Sequence, residues 1–171
     1  MRATGIVRRI DELGRVVIPK EIRRTMKLRE GEELEVFTTD GESLILRKYS
    51  AVRDLVRIAE AFVRAVHEAT GDSAAVFDRD AVIAAAGNAV CAPLSDATLA
   101  LLEERKPVTR EEGSGLKLTT DGAPISDRFA MVPVLWQGDL MGGVAVFGRS
   151  ASAESLLITA RTGANLLSEQ F

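Results

Sequence analysis

The first fifty residues constrain the fold most, because their pattern calls for short strands and one short helix with too little apolar mass to close a core. Residues 4–10 (TGIVRRI) are rich in β-branched side chains, a turn follows at Asp11-Glu12-Leu13-Gly14, and residues 15–18 (RVVI) resume the strand pattern. Pro19 suits the first position of a helix, where its missing N–H costs nothing. Residues 20–26 then supply about two turns with Ile22 and Met26 on one face. Gly31 marks a turn, residues 33–38 (ELEVFT) alternate, Asp40-Gly41 is a hairpin signal, and residues 43–49 (SLILRKY) return. The order is β-β-α-β-β. A unit of this size is marginal alone, and one cysteine and one histidine in the whole chain offer no disulfide or metal staple. The remedy left is a second copy whose strands complete the sheet. Residues 1–50 are therefore expected to form a domain only as a dimer.

Charge divides the chain in the same place. Residues 1–29 hold nine Lys/Arg against three Asp/Glu, a net of +6. Residues 30–50 hold two against six, and residues 51–171 hold 11 against 16, so the remainder is acidic throughout. A basic end on an acidic body fits a polyanion-binding segment joined to a part that avoids polyanions. The plainer alternative, a solvated charged face, is weakened because acids almost vanish from 13–20 and 22–29.

The run TGIVRRIDELGRVVIPKEIRR, with the acidic strand, the Asp-Gly turn and LILRKY after it, resembles the AbrB-like transition-state regulators of spore-forming bacteria. The likeness covers essentially all of residues 1–50. Within that family, the long C-terminal half looks most like the stage V sporulation members. The resemblance implies a swapped-hairpin β-barrel made by two chains, double-stranded promoter DNA as partner, and a role in controlling sporulation-stage genes. It implies DNA contact by arginines of the first strand, the loop and the short helix, matched here by Arg8, Arg15, Arg23 and Arg24. The residues themselves add to this. Arg8 and Arg9 are consecutive, so in a strand they point to opposite faces, and Arg8 is favoured for DNA. Arg23 and Arg24 lie about 100° apart on a helix and can reach one surface, with Lys20 a turn earlier. Permanently charged, planar arginine suits both base edges and phosphates. With no long recognition helix and no aromatic platform, recognition is expected to lean on DNA shape. An antitoxin-type operator binder shares this barrel, but such proteins continue into a disordered tail.

A linker helix is expected over 51–70, capped by Ser50 and stopped by Gly71, with Val52, Leu55, Val56, Ala59, Phe62, Val63, Val66 and Ala69 apolar. That stripe is wider than a two-stranded seam needs. Either one face packs on its own domain, or helices of several chains bundle and join two dimers into a tetramer. Residues 73–87 read as two strands around a polar turn, and 93–106 as a helix burying Leu94, Ala97, Leu101 and Leu102. The stretch 107–128 is polar, with one strand near 116–119; Phe129 opens a hairpin, 129–135 and 140–147, around Trp136-Gln137-Gly138-Asp139. Pro133 marks an edge or a bulge. A last helix spans 152–169 with Leu156, Leu157, Ala160, Ala164 and Leu167 on one stripe. The order α-β-β-α-β-β-β-α is similar to a GAF domain, which implies a small-molecule sensor or an oligomerisation module over 51–171. The fold class expected is α+β: a two-chain swapped-hairpin β-barrel, a linker helix, then a GAF-like α/β sandwich.

Catalysis is not expected. No P-loop, GxGxxG or GxSxG occurs, and Glu103-Glu104 and Glu111-Glu112 sit in polar stretches where nothing desolvates them. No metal or cofactor is implied, and the ligand of the GAF-like half, if it takes one, is unidentified. The residues that mark cyclic-nucleotide GAF domains are absent, which argues against cyclic GMP. Cys91 is read as a small buried residue, His67 as a surface or interface residue, and Trp136 as a packing residue. The longest apolar runs, 81–86 and 131–136, fall far short of the ~20 residues of a membrane span, and the N-terminus has no secretory core. A cytoplasmic protein with no membrane partner is expected. The alternative from another class is a protein-interaction module that docks an acidic partner on the basic barrel.

Overall fold

In the computed structural model, which describes residues 5–39, 41, 43–49 and 55–171, the chain divides into two units, Met1–Tyr49 and Ser50–Phe171. The whole is α+β.

The first unit contains α1 (Lys20–Thr25), β1 (Leu34–Thr39) and β2 (Ser43–Lys48). Pro19 is the N-cap of α1 rather than its first residue, and its carbonyl accepts from the Arg23 amide at 2.9 Å. A cap needs no amide partner in the ladder, so proline is tolerated there for the reason expected one position later. The helix stops without a glycine. Lys27 takes the left-handed conformation (φ 53°), the Lys27 amide donates to the Arg24 carbonyl and the Leu28 amide to the Arg23 carbonyl. This paired closure satisfies carbonyls that the helix end leaves open. β1 and β2 form an antiparallel hairpin with Phe37 opposite Ile45 and Thr39 opposite Ser43. Gly41 at its tip has φ 72°; Asp40 of the turn signal lies outside the described residues.

The two expected strands over 4–10 and 15–18 do not form in the single chain. Residues 5–10 and 15–18 are unpaired, joined by the turn at 11–14. The physical reason is that none of the described residues of one chain supplies their ladder partners. Val7 is 84% exposed, and Ile10, Leu13 and Val17 are exposed as well. Among the described residues up to 49, Pro19 alone is buried.

The second unit has a full core. It contains α2 (Val56–Thr70), β3 (Ser73–Phe77), β4 (Val82–Ala86), α3 (Asp96–Glu103), β5 (Val108–Arg110), β6 (Arg128–Trp136), β7 (Asp139–Gly148) and α4 (Ala153–Ser168). The strands form one sheet in the order β4-β3-β7-β6-β5, every neighbour antiparallel. Side chains alternate across it. One face carries Val76, Val132, Val144 and Val146 against α2 and α4, which supply Ala59, Val63, Leu156, Ala160 and Leu167. The other carries Phe77, Phe129, Met131 and Phe147 beneath Leu102 of α3 and Leu118 and Ile125 of the 111–127 segment. Burial on both faces explains why β6 and β7 read as nearly continuous apolar runs.

Several local expectations change. α2 ends at Gly71 (φ 76°) as expected, but the proposed start at 51 and the Ser50 cap lie outside the described residues. α3 is shorter than 93–106, starts at a Ser95 cap and buries Thr98 and Leu102, while Ala97 is exposed. Thr98 tolerates burial because its hydroxyl donates to the Lys117 carbonyl at 3.1 Å. Residues 116–119 form isolated bridges, Leu116 to Ile125 and Leu94 to Thr119, rather than a strand. The missing strand is β5, on Phe129–Met131. Pro133 lies past the end of β5, so its absent N–H leaves no ladder bond unmade on that side. Cys91 is exposed, not buried. Trp136 packs against Phe171, ring centroids 6.3 Å apart. Among the described residues no helix is long and apolar enough to cross a membrane.

Glycine is required where β7 meets β3, since a Cβ on Gly142 would collide with the Phe77 carbonyl oxygen. Gly142→Ala is expected to cost about 1–3 kcal/mol of stability through forced backbone shifts. Chemical denaturation reads this as a lower midpoint; a parental midpoint would contradict the packing described.

Candidate nucleic-acid interface

The six basic residues singled out from the sequence all lie in the first unit and all are exposed. They come from three local structures. Arg8 and Arg9 sit on the unpaired 5–10 segment, with the Arg8 guanidinium donating to the Val7 carbonyl at 3.0 Å. Both are exposed, so the single chain does not select Arg8 over Arg9. Lys20, Arg23 and Arg24 belong to α1, the two arginines in its last turn, where cations also favour the negative end of the helix dipole.

Arg15 stands apart because it has an internal partner that the residue pattern alone does not announce. Asp11 folds the 11–15 turn around itself. Its Oδ1 accepts from the amides of Leu13 at 3.0 Å and Arg15 at 2.8 Å, its Oδ2 accepts from Arg15 Nε at 2.8 Å, and its own amide donates to the Arg15 carbonyl. Gly14 completes the turn with φ 74°. The one signal for it is an aspartate opening a glycine-closed turn, since Asp readily bonds backbone amides two or more residues on. The Arg15 amide first, then its guanidinium, then the Leu13 amide hold the Asp11 carboxyl below the usual aspartate range. The pair is solvent-exposed, so its role is to shape the turn and aim Arg15, not to add stability.

The remaining charges sort the unit into two parts. On the hairpin, Arg47 lies over the Phe37 ring at 4.3 Å and 3.9 Å from Glu35, and Lys48 pairs with Glu32 at 3.1 Å. Those cations are already matched. Among the described residues, Arg8, Arg9, Lys20, Arg23 and Arg24 form no ion pair with a carboxylate. Cations without internal counterions are those free to displace counterions from a polyanion.

In comparisons with known proteins, residues 54–171 match the family described as stage V sporulation protein T C-terminal, transcription factor. Residues 7–54 match the family described as antidote-toxin recognition MazE, bacterial antitoxin. The chain is 37% identical to stage V sporulation protein T of Bacillus subtilis over 153 residues, covering 87% of this chain and 86% of that one. It is 57% identical over 49 residues to the transition state regulatory protein AbrB of the same organism, covering 29% of this chain and 50% of AbrB. A solved GAF domain from A. Aeolicus is similar in fold, with TM-score 0.51 at 14% identity over 70% of this chain and 91% of that chain.

The Asp11 clasp gives a testable pH response. A depressed folded-state pKa means the clasp is intact above the usual aspartate range and is lost as pH falls through the lowered value. Carboxyl NMR titration of Asp11 is expected to show a midpoint below that of ordinary aspartates. Arg15→Ala, which keeps the amide but removes the guanidinium, is expected to move it part of the way back; an unmoved midpoint would contradict the clasp.

Proposed function

The chain belongs to the stage V sporulation protein T C-terminal family of transcription factors, and on that premise we propose that it is a DNA-binding regulator of sporulation-stage genes. Its first unit is a two-chain DNA-binding module, and its second, GAF-like unit modulates assembly or DNA affinity. Five exposed cations without an ion-pair partner among the described residues, Arg8, Arg9, Lys20, Arg23 and Arg24, carry the DNA reading, with Arg15 aimed by Asp11. The role is one of binding, not catalysis.

The swapped-hairpin dimer rests on a second observation. Residues 5–49 bury Pro19 and nothing else among the described residues, while Val7, Ile10, Leu13, Val16 and Val17 are exposed. A partner chain would pair segments 5–10 and 15–18 and cover those side chains. The match of residues 7–54 to an antitoxin family favours the antitoxin-type reading only for the barrel, because an ordered sheet-and-helix unit follows.

Dimers are then joined into a tetramer through the second unit. An open, mostly apolar groove of about 580 Å³ lies between α2 and α4, lined by Leu55, Arg57, Ile58, Ala61, Phe62 and Leu166. The helices meet closely at Gly163, where a Cβ would strike the Phe62 ring. The occupant proposed is the same groove of another copy. Tethering two second units to each dimer raises their effective concentration, which lets a modest groove suffice.

In the full chain, Arg23→Ala or Arg24→Ala is expected to weaken binding to an A·T-rich promoter duplex without changing thermal unfolding. For every phosphate that a substitution leaves unneutralised, the salt slope of binding should fall by about 0.9. Fluorescence anisotropy across a salt series reads both quantities, and parental affinity with parental slope would overturn the assignment. For the tetramer, Leu166→Glu is expected to convert a sedimenting tetramer into a dimer. A concentration-independent dimer of the parent chain would overturn that part alone.

A further inference from the structure

The antiparallel register brings three chain segments to one end of the five-stranded sheet. Arg128, the first residue of β6, lies opposite Gly148, the last of β7, and Arg110, the last of β5, lies opposite Phe129. The two ends of the 111–127 segment therefore meet the chain entering α4. At this junction the Arg128 guanidinium is shared between them. Its Nε donates to Glu111 Oε2 at 3.3 Å and its second terminal nitrogen pairs with Glu112 Oε1 at 3.1 Å. The other terminal nitrogen donates to the carbonyls of Arg149 at 3.0 Å and Ala151 at 3.2 Å. Arg149 reaches back the opposite way, its Nε 2.6 Å from Asp127 Oδ1. Each end of the 111–127 segment is thus gripped by an arginine that belongs to, or holds, the approach to α4. A planar five-donor guanidinium can serve four acceptors in two directions; an ammonium with three donors cannot.

The two things tied together lie on opposite faces of the sheet. The 111–127 segment sends Leu118 and Ile125 into the core under α3, whereas α4 packs beside α2 on the other face. Thr119 Oγ1 is buried without a hydrogen-bond partner among the described residues, pressed against the open side of Gly122. The arginine contacts are what join this segment to the approach to α4.

The geometry points to Arg128 as a mechanical link that couples the 111–127 cover to the 149–151 approach to α4, so that displacing the cover loosens the start of the helix. Its regulatory meaning rests on the modulating role proposed for the second unit, since α2, which shares a face with α4, follows the first unit in sequence. The coupling itself stands on contacts within the second unit.

Amide hydrogen exchange of the full chain, read by mass spectrometry without DNA, tests it. The double variant Glu111→Gln, Glu112→Gln touches only the cover side of the link. It is expected to raise exchange in 111–127 by about two- to fivefold, the range open to partly exposed ion pairs, and to raise exchange in 149–157 as well. A rise confined to 111–127, or no rise, overturns the coupling. Arg128→Lys, which keeps the charge and loses the fork, is expected to raise both segments; parental exchange in both would also overturn it. Neither outcome bears on DNA binding, so the two readings fail separately.

Discussion

Strand backbones need ladder partners, and apolar side chains need cover; over residues 5–10 and 15–18 the described residues of a single chain supply no ladder and little cover. From residue 5 to 18 it offers one closed turn and two unpaired arms, and up to residue 49 only Pro19 is buried among the described residues. Everything proposed for DNA binding follows from how that deficit is met. If a second chain supplies the missing strands, two copies of Arg8, Arg15, Arg23 and Arg24 are placed about a two-fold axis, and the spacing of the arginines becomes a property of the dimer. Affinity and folding are then linked, because the surface that meets DNA does not exist in the monomer.

The second unit solves the opposite problem. Its sheet is covered on both faces, by α2 and α4 on one and by α3 with the 111–127 segment on the other. A two-faced sheet separates two tasks. The α2–α4 side carries an open apolar groove, and the other side carries the 111–127 segment, with Leu118 and Ile125 in the core beneath it. The arginine junction at the sheet end ties the 111–127 segment on one face to the chain entering α4 on the other.

Much of this is legible in the residues, for identifiable reasons. The β6–β7 hairpin stands out because burial on both faces leaves no polar positions to break the run, and the α2 stop is written in Gly71. The β1–β2 hairpin follows from alternation around a glycine turn. Other elements are not local. β5 is three residues, Val-Thr-Arg, that become a strand only by lying beside Phe129–Met131, whereas 116–119 alternates like a strand yet meets only isolated bridge partners. α1 ends at Lys27 in a conformation that usually signals itself by glycine. The arginines of the candidate interface are visible as a charge run, but the Asp11 clasp on Arg15 is not, because it depends on the geometry of the turn. Arg128 gives no signal at all; its four acceptors come from separated segments brought together by strand register.

The central claim is that residues 5–18 become paired strands only when two chains meet. Amide exchange at residues 6–10 and 15–18 of the full chain, followed through a dilution series alongside sedimentation, tests it most directly. The account predicts strong protection while the chain is assembled, disappearing together with the dimer on dilution. Exchange at unprotected rates in an assembled sample, or protection that persists in a monomer, would contradict it.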